Sequence, residues 1–150
     1  MKIYIGADHG GFHLKEEVEA YLRKAGYDVE DEGNIVLDPD DDYPQFAAKV
    51  AVSVLTSPDA EPRGIIVCTG AQGVAIAANR YKGIRASVVW DAHEARMTRN
   101  DNDSNVLCLS GRLMEDDPKL WHDVVDTWLK TPFSRAARHH RRIAELDKLG

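Results

Sequence analysis

Short apolar runs alternate along this chain with longer segments in which apolar residues recur every three or four positions. KIYIG (2–6) predicts a strand. Phe12, Leu14, Val18 and Leu22 stand near helical spacing and predict a helix over about 11–25, stopped at Gly26. YDVEDEG (27–33) alternates and predicts a half-buried strand, and DPDDDYP (38–44) is a loop rich in turn residues. Phe46, Val50 and Val54 are four apart and predict a helix over about 44–57. GIIVC (64–68) is a continuous apolar run, the pattern of a central parallel strand. After the small-residue loop TGAQG (69–73), VAIAANRY (74–81) predicts a short helix and IRASVVW (84–90) a strand. A helix over 92–101, a strand over 105–110 and helices over about 117–130 and 134–147 complete the pattern, the last two parted at Pro132.

Strand–helix alternation over this length predicts an α/β fold with one doubly wound parallel sheet of five strands and helices on both faces. There is no repeat and no low-complexity linker, so the chain reads as a single domain. Such sheets bind ligands beyond the carboxyl ends of their strands. That rule singles out the loops Ala7–Gly11, Thr69–Gly73 and Gly111–Met114, with the region around Trp90–Asp91.

Composition narrows the function classes. The chain has 150 residues, 43% hydrophobic and 29% charged, enough to bury a core without disulfides. No segment approaches the ~18 apolar residues of a membrane span, and the start is too polar for a signal peptide. The cytoplasm is therefore the expected location. A net charge of −6 argues against nucleic-acid binding. The charge is uneven: Asp38–Asp42 is acidic, while Arg135, Arg138, Arg141 and Arg142 crowd the C-terminal stretch with His139 and His140. A local basic cluster on an acidic protein suits a small anion. Cys68 and Cys108 end apolar runs and lack the companions of a zinc site, so both read as thiols.

Four features could carry chemistry. Asp8 and His9 leave the first strand beside Gly10 and Gly11, either as a polar ligand clamp or with Asp8 capping the following helix. In CTGAQG (68–73), Gly70 and Gly73 allow backbone N–H groups to converge in front of a helix start, an anion site without the lysine of a P-loop. Cys68 stands at that loop; a thiol facing a helix N-terminus is more readily ionised, the alternative being a buried core cysteine. Cys108 lacks such a loop and reads as core. Arg112 follows the fifth strand. Arg138 and Arg142 share a helix face, either gripping phosphate oxygens or pairing with Glu145 and Asp147 in solvent. RNDNDSN (99–105) reads mostly as caps and turns.

Taken together, GADHGGF (6–12), DYPQFA (42–47), IAAN (76–79), KGIRA (82–86), NDSNVL (102–107), SGR (110–112) and RHHRR (138–142) resemble the type B ribose-5-phosphate isomerases, whose family includes the galactose-6-phosphate isomerase subunits. The resemblance covers essentially the whole chain. It implies a Rossmann-like sheet and a homodimer or tetramer with active sites shared between subunits, the C-terminal helix packing on the partner. It implies aldose–ketose isomerisation through an enediolate, without metal, nucleotide or other cofactor, most simply ribose 5-phosphate to ribulose 5-phosphate. By the same resemblance Cys68 is the base, Asp8 and Tyr43 contact the sugar, and His9, Arg112, Arg138 and Arg142 attend the phosphate, with His139 a weaker candidate. Asn102 matches a position near the reacting oxygens. The chemistry needs donors facing the developing oxyanion, and the loop Thr69, Gly70, Ala71 and Gly73 can supply their N–H groups beside Cys68, with Thr69 and Asp101 counted among the catalytic residues.

Two positions depart from the family. Many members read C-G-T-G where this chain reads Cys68-Thr69-Gly70-Ala71, so the threonine has moved by one place. The family's histidine before the Asn-Asp pair, associated with opening the furanose ring, is here Asp101. A carboxylate ionised at neutral pH accepts a proton but donates poorly. Either Asp101 serves as the acid, another group such as His93 replaces it, or ring opening is not needed. The last option admits a tetrose 4-phosphate, which cannot close a furanose. Allose 6-phosphate, galactose 6-phosphate, a noncatalytic sugar-phosphate-binding role and a flavodoxin-like binder are the remaining alternatives.

Overall fold

The computed structural model describes residues 1–149. Five strands form one parallel sheet: β1 (Lys2–Ala7), β2 (Asp28–Asp31), β3 (Arg63–Cys68), β4 (Ala86–Val88) and β5 (Val106–Ser110), in the order β2-β1-β3-β5-β4. The GIIVC run is indeed the central strand, buried from Gly64 to Cys68 because helices cover both faces. The helices are α1 (Phe12–Lys24), α2 (Tyr43–Thr56), α3 (Gln72–Ala78), α4 (Ala92–Asn102), α5 (Gly111–Met114), α6 (Pro118–Lys130) and α7 (Ala137–Leu146).

Two apolar layers flank the sheet. Ile3, Ile5, Ile65, Leu107 and Leu109 pack with α1 and α6 through Leu14, Val18, Val124 and Trp128. Tyr4, Ile66 and Cys108 pack with α2 and α3 through Val50, Val54, Val74 and Ala78. The alternation of strand side chains between the two layers follows from the two-residue period of a strand. Helix α6 starts on Asp117, whose carboxylate accepts from Leu120 N–H, with Pro118 in the first turn.

Observed boundaries fall within a few residues of the expected ones. A 3-10 turn at His9–Gly11 precedes α1, and the stretch Gly111–Met114 is a single helical turn rather than a loop. Ser110 caps that turn, its hydroxyl accepting from Leu113 N–H at 3.3 Å. Among the described residues no helix is long and apolar enough to cross a membrane.

Candidate active site

Three loops meet at the carboxyl ends of β1, β3 and β5. Cys68 is the last residue of β3, pairs in register with Ser110 and is 6% exposed. The Ala71 N–H donates to its sulfur at 3.0 Å. Ala71 is the N-cap of α3 and takes a left-handed conformation, φ 65°. In this loop the left-handed residue is an alanine, while Gly70 and Gly73 are not among the positive-φ residues. The two glycines instead make room. An added Cβ at Gly70 would lie 3.3 Å from the Arg112 guanidinium, and one at Gly73 would lie 2.7 Å from the Tyr43 ring.

Arg112 reaches this corner because α5 is tied to the β3–α3 loop. The carbonyl of Thr69 accepts from Arg112 N–H at 3.1 Å and from the Ser110 hydroxyl at 2.9 Å. The Thr69 side chain leans on the first loop, its hydroxyl filling the space that a side chain at Gly10 would need. The amides of Gln72 and Gly73, in the first turn of α3, are of the kind that a helix leaves outside its own ladder.

Asp8 does not cap the turn it precedes; its side chain makes no cap hydrogen bond. It is buried, and its Oδ1 has no partner. Burial pushes the Asp8 carboxyl above its ordinary value, and the neighbouring His9 charge only partly offsets this. A buried, unsatisfied acceptor at the mouth of a sheet is suited to a ligand hydroxyl.

His9 is held by a residue that sequence reasoning missed. Asp41 Oδ1 accepts the His9 main-chain N–H at 2.9 Å and lies 2.8 Å from ring Nδ1. Asp8, His9 and Asp41 offer ligand-type atoms within 4.8 Å of one another, but Nδ1 is already engaged by Asp41. The acidic loop gave no signal separating Asp41 from its neighbours Asp40 and Asp42.

The remaining site residues lie elsewhere on the chain. Helix α4 runs back across the sheet, so Asp101 and Asn102 end at the amino ends of β4 and β5. There the Asn102 carbonyl accepts from Arg85 Nε at 3.1 Å, just before β4. Five residues of β5 part that end from the Cys68 end, roughly 16 Å at strand rise. Asp101 accepts from Asn100 Nδ2 at 2.6 Å and sits 3.7 Å from His139 Nε2 on α7. His139 is buried, its Nδ1 2.8 Å from the Ser134 hydroxyl, while Arg138 and Arg142 are exposed on the same helix. A cleft of about 350 Å³ beside edge strand β4 is lined by Val88, Thr98, Asp101 and Asn102. His93 is exposed at the start of α4, 3.3 Å from Arg96. The single chain therefore gathers Asp8, His9, Tyr43, Cys68, Thr69, Gly70, Ala71, Gly73 and Arg112 at one end, and Asp101, Asn102, Arg138 and Arg142 at another. Clefts of about 590 Å³ and 420 Å³ open at the amino ends of the strands; neither is lined by Asp8, Cys68 or Arg112.

Cys108 lies inside the sheet, fully buried, and burial drives its thiol far above the ordinary value. It is core, as its sequence context suggested.

Comparison with known proteins finds similar sequences and similar folds. The family model described as Ribose/Galactose Isomerase matches residues 3–146. Ribose-5-phosphate isomerase B of Mycolicibacterium paratuberculosis is 36% identical over 143 residues, covering 95% of this chain and 87% of that protein. The probable ribose-5-phosphate isomerase B of Mycoplasma pneumoniae is 38% identical, covering 96% and 91%. Among solved structures, ribose-5-phosphate isomerase B of Clostridium thermocellum superposes with a TM-score of 0.91 at 42% identity, covering 99% of this chain and 96% of that one. The Mycoplasma genitalium enzyme with bound ribulose-5-phosphate gives 0.91 at 37% identity, covering 98% and 94%.

Proposed function

The chain belongs to the ribose/galactose isomerase family, and on that premise we propose that it interconverts an aldose phosphate and its ketose, with ribose 5-phosphate and ribulose 5-phosphate as the pair. The observation that carries this reading is the Cys68 corner, where a strand-end sulfur, a left-handed loop and a guanidinium meet beside an unsatisfied carboxylate.

In the proposed reaction the Cys68 thiolate takes the proton from the carbon next to the carbonyl. That electron pair forms the carbon–carbon double bond of a cis-enediolate, and the former carbonyl oxygen takes the negative charge. A proton passes from the hydroxyl oxygen to the former carbonyl oxygen, and the proton held on Cys68 returns to the former carbonyl carbon as the second oxygen becomes the new carbonyl. The Ala71 N–H holds the sulfur in place, and the free first-turn amides of Gln72 and Gly73 would meet the developing oxyanion. Asp8 receives sugar hydroxyls, Tyr43 flanks the sugar, and His9 and Arg112 bind phosphate. Thr69 acts through its main chain, which carries Arg112. No step requires a metal or other cofactor, so turnover should persist after chelation with EDTA.

Asp101, Asn102, Arg138 and Arg142 stand too far from Cys68 on their own chain. In our reading they serve the Cys68 corner of a second copy, so the working form is a homodimer, or a tetramer built from it, with shared sites. Exposed Trp90, Ile76 and Leu113 provide apolar surface for such a contact. Asp101 in place of a ring-opening histidine favours a second reading in which an open-chain tetrose 4-phosphate is the substrate.

A panel of tetrose, pentose and hexose phosphates, assayed by turnover and by solvent-proton exchange at the carbon beside the carbonyl, tests both. Preference for ribose 5-phosphate supports the first reading and preference for erythrose 4-phosphate the second. Binding without exchange would leave only a sugar-phosphate-binding protein.

A further inference from the structure

We propose that Asp41 is a positioning residue that fixes the His9 backbone and ring so that the second ring nitrogen serves the phosphate of the substrate; the proposal rests on the isomerase reading above. One carboxylate oxygen holds two points of His9. Asp41 Oδ1 accepts the main-chain N–H at 2.9 Å, which sets the backbone, and meets Nδ1 at 2.8 Å, which sets the ring. The other oxygen, Oδ2, accepts from Asn34 Nδ2 at 3.1 Å, so the carboxylate cannot swing away without losing that bond. The Asp41 side chain is 4% exposed whereas that of His9 is 43% exposed. The dyad is therefore buried on its acid side and open on its imidazole side.

With Nδ1 committed to Asp41, Nε2 is the ring nitrogen left to meet a ligand. In the neutral ring Nε2 is an acceptor; in the imidazolium it is a donor. Only the second form attracts a phosphate. The hydrogen bond that the His9 ring donates to Asp41 is the largest influence holding His9 above its ordinary value. Partial loss of solvent acts in the opposite direction, and the Asp8 and Asp41 charges add to the upward push. The charged groups facing the ring are Asp8 in its own turn and Asp41 from the acidic loop. From the β3–α3 loop, Thr69 packs uncharged against Gly10, and the Arg112 guanidinium from α5 lies beside Gly70. Asp41 is thus the one group that both orients and charges the ring. A purely structural staple would also join the acidic loop to the first turn, but it would leave the charge of the ring without consequence.

The test compares wild type with Asp41→Asn, and with Asp41→Glu as the conservative variant. The His9 ring is titrated by nitrogen-15 NMR without substrate, and KM and kcat for ribose 5-phosphate are measured from pH 5.5 to 8.5. In Asp41→Asn the titration midpoint is expected to fall toward that of free imidazole, near 6.5. KM should rise roughly tenfold at pH 8 and much less at pH 5.5, with kcat within about twofold, as expected for loss of uniform binding. Asp41→Glu should recover part of the midpoint shift. Adding Asp41→Asn to His9→Gln should cost nothing further, because the two act as one unit. An unchanged midpoint, a KM increase equal at all pH values, or fully additive losses would overturn the proposal. Should wild type turn over no sugar phosphate, the isomerase reading fails by itself. The same variants are then compared for affinity to inorganic phosphate, where a pH-dependent loss in Asp41→Asn supports the role of Asp41 and equal affinity overturns it.

Discussion

The ring of Tyr43 rests on Gly73: a Cβ at that glycine would fall 2.7 Å from ring Cζ and 2.9 Å from Cε2. Tyr43 opens α2 and is 40% exposed, so its ring can move aside at little energetic cost. Gly73→Ala should therefore melt close to wild type while KM for the sugar phosphate rises several-fold. Thermal denaturation beside steady-state kinetics checks this, and a large drop in Tm with unchanged KM would speak against a substrate-pocket role for Tyr43.

Gly11 gives the opposite case. A Cβ there would lie 2.4 Å from the main-chain carbonyl of Val67, in the central strand, which cannot yield. Gly11→Ala should lose about 3 kcal/mol or more of stability, read as a strongly lowered denaturation midpoint.

Replacing Cys68 by alanine should reduce turnover by about 100-fold or more, the usual loss for a missing general base, with the fold intact. Cys108→Ala should retain most activity and lose stability instead, by about 1 kcal/mol for the vacated core volume. Alkylation of the native protein should modify one thiol per chain, at position 68. Near-normal turnover in Cys68→Ala would require another base.

Asp8 links the site to pH. Burial raises its carboxyl above the unfolded value of 3.8, so the fold favours the protonated form. The cost of the charge is absent below the unfolded value and is fully present once the pH has risen past the folded one. Asp8→Asn should melt a few degrees above wild type at pH 7, with the gap closing as the pH falls toward 4. Turnover should fall at least about tenfold, since a partner for sugar hydroxyls is removed. A gap that widens in acid would contradict this sign.

Shared sites can be read from mixed variants. Cys68→Ala and Arg142→Ala, each inactive or weak alone, are unfolded together and refolded. If Cys68 of one copy works with Arg142 of the other, half of random pairs carry one whole site, restoring roughly a quarter of wild-type activity. No recovery would mean that each copy serves itself.

The fold was largely legible because the run GIIVC can only be a strand covered on both faces, and because the helical segments keep their apolar spacing. The cysteine corner was legible too, since strand ends in such a sheet are known positions once the strands are. Asp41 was not. Its bond to His9 spans 32 positions, and nothing local distinguishes it within DPDDD. The left-handed conformation of Ala71 was not legible either, since composition gives no reason for an alanine there, while Gly70 and Gly73 leave room for Arg112 and Tyr43. The separation of Asp101 and Asn102 from Cys68 follows from the return of α4 across the sheet, a tertiary fact that motif spacing does not carry.

That return path has a kinetic corollary. If the far-end arginines must reach a neighbouring copy, a solitary chain is two unmatched halves. Specific activity should then fall on dilution, in step with dissociation, and excess of an inactive Cys68→Ala chain should revive it by supplying arginines alone.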